Sequence, residues 1–163
     1  MIEHKEGVFI IDLGETARSL ESNYLKNESR FTQWTSRRIS RHEISRNDEL
    51  DIALKILNIK KENINKIILT HLHSDHIGNL KYFEGVPVYV NRVEYVKPYG
   101  YSKSVTLSWF SPILYDLKDT TDFIFQKKFS FTKNNDLYAI PATGHTYGHC
   151  SIMFNFNNVN YFF

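Results

Sequence analysis

Three histidines and an aspartate crowd into His71-Leu72-His73-Ser74-Asp75-His76, directly after the apolar run Ile67-Ile68-Leu69 and Thr70. Neutral imidazole and carboxylate are ligands of zinc and comparable first-row metals, which need several such donors converging on one point. A buried strand that opens into a loop delivers that convergence. A structural cluster of the same composition would bury unpaired polar groups, at about 2 kcal/mol or more each. The competing reading is a solvent-exposed polar loop, but histidine at this density is rare by chance. The stretch is read as a metal site.

The elements around it must aim these side chains. Lys66 to Thr70 is predicted as the delivering strand, preceded by a helix with Leu50, Ala53, Leu54 and Leu57 at helical spacing, capped by Asn47 or Asp48. Helix, short link, buried strand and ligand-bearing loop make an α/β pattern with chemistry at the strand's carboxyl end. Upstream, Val8-Phe9-Ile10-Ile11 reads as a buried strand ended by Asp12-Leu13-Gly14, with Met1-Ile2 the tail of an earlier strand across a Lys5-Glu6-Gly7 turn. Downstream, Leu80 to Phe83 suggests a short helix. Val86 to Val90 reads as a strand that Pro87 confines to an edge or an entry position, and Arg92 to Val96 as another short helix. Strands are expected at Phe123–Phe125, Phe129–Phe131 and Leu137–Ile140. The last runs into Gly144-His145-Thr146-Tyr147-Gly148-His149. Ser151 to Phe156 alternates, Asn157-Asn158 supplies a hairpin turn, and a return strand starts at Val159.

A chain of 163 residues is long enough for one domain with a sizeable core. Its net charge of +2 points to no large polyanionic partner. The single cysteine, Cys150, excludes an intramolecular disulfide and agrees with a reducing cytoplasm; it is read as a small buried side chain. No secretory signal or membrane-length apolar run is visible, and Asn27-Glu28-Ser29 is read as a chance glycosylation pattern. Two segments lack a period. Between Glu15 and Asn47, Phe31 and Trp34 lie among Arg30, Arg37, Arg38, Arg41 and Arg46: a solvated, partly helical excursion, or a cationic flap or nucleic-acid contact. Between Lys97 and Asp122, Tyr99, Tyr101, Trp109, Phe110 and Tyr115 either pack on the core or line an apolar substrate pocket. His4 and His42 are read as surface residues.

His71-x-His73-x-Asp75-His76 after one strand, with Gly144-His145-Thr146-x-Gly148-His149 after a second, resembles the metallo-β-lactamase superfamily. Asp12-Leu13-Gly14 stands where that family carries Asp-Thr-Gly, so Leu13 is expected to cost a structural hydrogen bond. The resemblance implies an αββα sandwich of two mixed sheets with helices outside. It implies that His71, His73 and His145 hold a first metal and that Asp75 and His76 contribute to a second. His149 and Asp12 are implied to be structural, or to orient the ligands from behind. The family's bridging aspartate and last histidine ligand have no counterpart before Phe163, so the chain is expected to be a fragment: an incomplete sandwich binding at most one metal, zinc first, with iron, manganese or cobalt possible.

Among the branches, the flanking Leu80-Lys81-Tyr82-Phe83, Val88-Tyr89-Val90 and Arg92 with Glu94-Tyr95 are most similar to N-acyl homoserine lactone lactonases. The implied activity is hydrolysis of an ester-like bond in a small-molecule substrate by a metal-bound hydroxide, generated when the metals lower the pKa of water from 15.7 to about 7. Asp75 would orient it and pass its proton to the leaving group. A glyoxalase II-like thioesterase is the nearest rival, and an inert metal-binding remnant is the reading from another class. Neither nucleic acid nor membrane is an expected partner.

Overall fold

The computed structural model describes residues 1–163 apart from 22, 27, 40–42, 102–106 and 122–124, and, within the first helix, not the side chains of 32, 35–37 and 39. Two five-stranded sheets carry the fold. The first runs in the order β1 (Ile2–His4), β2 (Gly7–Ile11), β3 (Ile64–Ile68), β4 (Val88–Asn91), β5 (Ile113–Tyr115). Its β1–β2 pair is antiparallel and the rest is parallel. The second is antiparallel throughout, in the order β10 (Val159–Phe162), β9 (Cys150–Phe156), β8 (Leu137–Pro141), β7 (Lys127–Ser130), β6 (Lys118–Asp119). Helices α1 (Arg30–Ile39), α2 (Leu50–Ile56), α3 (Ser74–Ile77) and α4 (Arg92–Val96) all precede β5.

Period-two alternation sorts each strand between two layers. Ile10, Ile67, Val88 and Val90 face the helical side, with Leu54, Leu72, Leu80 and Phe83. Phe9, Ile68 and Tyr115 face the second sheet's Leu137, Ala139, Cys150 and Ile152. Central parallel strands covered on both faces must be apolar almost continuously, which is why Ile67-Ile68-Leu69 is entirely buried. A register shift opposite Val8 and Phe9 lets Ile64 and Ile67 share a face although they are three residues apart. The helical side and the two facing sheets are three layers of an αββα sandwich, here incomplete, and the second sheet is antiparallel where a mixed one was expected.

Several boundaries differ from the sequence reading, each for a local reason. β3 begins at Ile64, although the ladder continues past Ile68, where Leu69 donates to the Tyr89 carbonyl. Pro87 precedes β4, an interior strand, and its carbonyl accepts from Ile67, so it marks an entry. Of the α2 stripe only Leu54 is buried. The helix ends after seven residues, and Leu57, its C-cap, is 57% exposed. Asp48 accepts from Ser45 and closes the preceding short turn, whereas α2 is capped by Glu49. His4 is not a surface residue: its side chain packs near Phe9 and Phe154 and bonds Asp136 at 3.1 Å, because the β1–β2 hairpin folds against the 132–136 turn. His42 and most of the expected Phe123–Phe125 strand lie outside the described residues.

The aromatic segment divides. Trp109 and Phe110 pack on the core, Tyr115 is buried in β5, and Tyr99 stays exposed. In the arginine-rich excursion Arg38 lies over Trp34, itself stacked on Phe31, while Arg46 is bound by Asp51 at 2.6 Å. Asn157 and Asn158 both adopt positive φ, the backbone a two-residue hairpin needs. No described helix is long and apolar enough to cross a membrane.

Candidate metal centre

The carboxyl ends of β2 and β3 and the loop from β8 to β9 meet at one edge of the sandwich. A backbone bond joins the two sheets there: Cys150, at the start of β9, donates to the carbonyl of Thr70. The Asp12–Gly14 turn is sewn to the histidine loop by Leu13 N–H to His76 O at 2.7 Å and Gly78 N–H to Gly14 O at 2.9 Å. Leu13 is 1% exposed, so its side chain serves the core while the main chain keeps the turn.

His71, His73 and His145 converge, with one ring nitrogen from each lying within 4.8 Å of the others. Their protonation follows from their neighbours. Thr70 Oγ1 donates to Asp12 Oδ2 at 2.7 Å, since a carboxylate can only accept. Its 3.0 Å contact with His71 Nδ1 therefore has the imidazole N–H as donor. That leaves a lone pair on His71 Nε2, an atom that is buried and has no hydrogen-bond partner. His73 Nε2 lies 2.9 Å from the Tyr99 carbonyl, so it carries the proton and donates there, leaving the Nδ1 lone pair free. Gly100 permits this approach: a Cβ there would come within 2.5 Å of His73 Nε2, and φ is +73°. His145 is exposed, at the mouth.

Burial, then the charges of the surrounding His76, His73, His149 and His145 when protonated, pushes the pKa of His71 down to about 3. A metal ligand must be neutral, and this one is held so. The donor set therefore fits a first-row divalent metal: three converging imidazoles, one with an orphaned buried lone pair. Asp12 does more than anchor Thr70. It also accepts from the Thr70 N–H at 2.8 Å and from His76 Nδ1 at 2.8 Å, in a left-handed conformation of φ 51°. That bond, ahead of an opposing burial effect, raises the His76 pKa. His76 Nε2 is 3.5 Å from the carboxylate of Asp75, which is 61% exposed. His149 stands beside His71, ring centres 4.9 Å apart, and its Nδ1 donates to the Ala142 carbonyl at 2.8 Å.

All seven residues singled out from the sequence are thus brought to one edge, His71, His73 and His145 as a converging set and Asp12, Asp75, His76 and His149 around it. Thr70 and Glu94 were missed. Thr70 relays Asp12 to His71, and Glu94 joins the two histidine loops. Thr70 had a signal, a hydroxyl directly before the first ligand; Glu94 stood only in the flanking similarity, beside Arg92 and Tyr95, with no role attached to it. Beside His145 a pocket of about 620 Å³ is lined by Tyr99, Thr143, Gly144, Thr146 and Tyr147, within the size range of small-molecule sites. A groove of about 480 Å³ near Leu54, Asn58 and Tyr82 lies elsewhere and meets none of the clustered histidines.

A two-sheet sandwich with a histidine cluster at one edge is the architecture of a metal-site protein, and comparison with known proteins names the class. The sequence matches the metallo-beta-lactamase superfamily over residues 1–159, and the chain belongs to that family. An N-acyl homoserine lactonase of Bacillus cereus is 27% identical over 95 residues, 58% of this chain and 36% of that protein. Among solved structures, an AiiA mutant of B. thuringiensis with N-decanoyl-L-homoserine at its active site superposes with a TM-score of 0.69 at 20% identity, over 94% of this chain and 56% of that one. An N-acyl homoserine lactone hydrolase with its product N-hexanoyl-L-homoserine at the catalytic metal centre gives 0.68 at 19%, covering 94% and 56%. The chain spans about a third of the curated relative and a little over half of these structures.

Proposed function

We propose that this chain carries the metal centre of a hydrolase that opens N-acyl homoserine lactones, with zinc as the metal. The observation that carries the metal reading is the convergence of His71, His73 and His145 around a buried, unpartnered Nε2. The lactone reading is supported by the similarity to proteins that act on or hold acyl homoserines.

His71 Nε2, His73 Nδ1 and His145 would hold one metal, and Asp75 and His76 would contribute to a second. When bound, a divalent metal supplies an acidified water and a Lewis acid for the ester carbonyl. Thr70 and Tyr99 fix the two imidazole tautomers in advance, so no proton must move within those rings on binding. The Asp75 carboxylate, close to His76 and open to solvent, takes the proton of the attacking water and returns it to the departing alkoxide. Tyr99 and Tyr147, 65% and 66% exposed, flank the pocket as apolar walls for an acyl chain.

The test is a panel on the zinc-loaded protein: N-hexanoyl and N-decanoyl homoserine lactones, a glutathione thioester and a phosphodiester. The panel is read as a ratio of rates. Faster lactone opening than thioester cleavage, lost in His73→Ala, supports the proposal. Preference for the thioester, or equal inactivity on every lactone, contradicts it.

A further inference from the structure

Glu94 is fully buried, and its carboxylate joins the two loops that bear the clustered histidines. Oε1 accepts from the Leu72 N–H at 3.1 Å; Oε2 accepts from the Gly148 N–H at 3.1 Å and from the Thr146 hydroxyl at 2.5 Å. Leu72 lies between His71 and His73, and Thr146 directly follows His145. A second contact supports the same join. Asn91, which caps α4 by accepting from Val93, donates to the Gly148 carbonyl at 3.0 Å, so both main-chain groups of Gly148 are bound from the α4 side. The approach is close enough to require glycine: a Cβ on Gly148 would fall 2.1 Å from the Glu94 nitrogen.

An ionised acid in such a place needs compensation. Glu49, also buried, has Arg46 at 3.1 Å, but no cation among the described residues pairs with Glu94. Its compensation within the chain is three hydrogen bonds, all from residues at the edge of the histidine cluster. We infer that Glu94 is a positioning residue for the metal: it sets the separation between the His71–His73 loop and His145, and its unpaired negative charge offsets that of a bound cation. This rests on the metal reading proposed above.

Glu94→Gln tests it without changing shape. An amide has one acceptor oxygen, so one loop keeps its bonds while the other's N–H meets an NH₂ group. Wild type, Glu94→Gln and Thr146→Val are titrated with Co(II), following visible absorption, with circular dichroism and thermal melting of the metal-free proteins alongside. Glu94→Gln should bind Co(II) about tenfold or more weakly, with altered ligand-field bands. Thr146→Val, which removes one of the three bonds, should bind about threefold more weakly. A merely structural role would lower the melting temperature and leave the affinity and bands of the folded protein unchanged. Wild-type affinity and bands in folded Glu94→Gln overturn the inference; if that variant does not fold, the same result in Thr146→Val overturns it. Failure of the wild type to bind Co(II) refutes the metal reading and this inference with it, whereas wild-type binding with unaltered variants refutes the role of Glu94 alone.

Discussion

Thr70→Val should expose how much of the site is built before any metal arrives. The hydroxyl makes two bonds, donating to Asp12 Oδ2 and accepting from His71 Nδ1. Thr70 is 4% exposed and His71 2%, so water does not replace either bond. Valine leaves the His71 N–H buried and unsatisfied, at a cost of about 1–3 kcal/mol. Asp12 keeps the Thr70 N–H and His76, which limits the loss on its side. A net destabilisation of about 2 kcal/mol, with a urea m-value of about 2 kcal/mol/M, moves the unfolding midpoint of the metal-free protein down by about 1 M. The proton of His71 is also freed to occupy Nε2, so zinc affinity should fall about tenfold. Thr70→Ser retains the hydroxyl and loses one methyl, about 0.8 kcal/mol, with zinc affinity near wild type. The relay from Asp12 to His71 is refuted if Thr70→Val unfolds at the wild-type midpoint, or if serine weakens zinc as much as valine does.

His145→Ala gives the complementary result, because His145 is exposed. Its unfolding free energy should stay within about 0.5 kcal/mol of wild type, while calorimetry shows zinc affinity reduced tenfold or more; an unchanged affinity removes His145 from the site. Acid should act on the metal-free protein through two groups of opposite sign. His71, depressed to about 3, stays neutral in the fold but takes up a proton in the unfolded chain below about pH 6.5, so its contribution to stability is lost as pH falls from there toward 3. His76, raised by Asp12, contributes stability that is complete below the unfolded pKa and lost as pH rises through its folded value. Denaturation curves across this range should show the His71 loss in wild type and not in His71→Gln; the same slope in both would assign it elsewhere. Gly100→Ala should push His73 off the Tyr99 carbonyl, weakening zinc with little change in far-ultraviolet circular dichroism, and wild-type zinc affinity in that variant would show that the contact is dispensable.

Much of this was legible in the sequence because the physics is local. The β3 and β8 runs are apolar as central or sheet-facing strands must be, each is followed by histidines, and paired asparagines announce the last hairpin. What was not legible depends on distant partners. His4 has no local partner in the sequence and so reads as a surface residue; its partner is Asp136, 132 residues away. The α2 stripe promised four core positions, but the helix stops before Leu57, so spacing overstated the burial. Glu94 stands in the sequence only as part of a flanking similarity, and nothing local shows its role. Its meaning comes from α4 packing beneath two loops more than twenty and fifty residues distant, which no periodicity encodes.

Long-range ¹H–¹⁵N spectra of the imidazoles during a zinc titration decide whether His71, His73 and His145 form one preorganised metal site. In metal-free protein His71 should be protonated on Nδ1 and His73 on Nε2. One equivalent of zinc should then shift His71 Nε2, His73 Nδ1 and His145 together, leaving both tautomers unchanged. Opposite tautomers in the metal-free protein, or zinc that binds without moving these three rings, would rule out such a site.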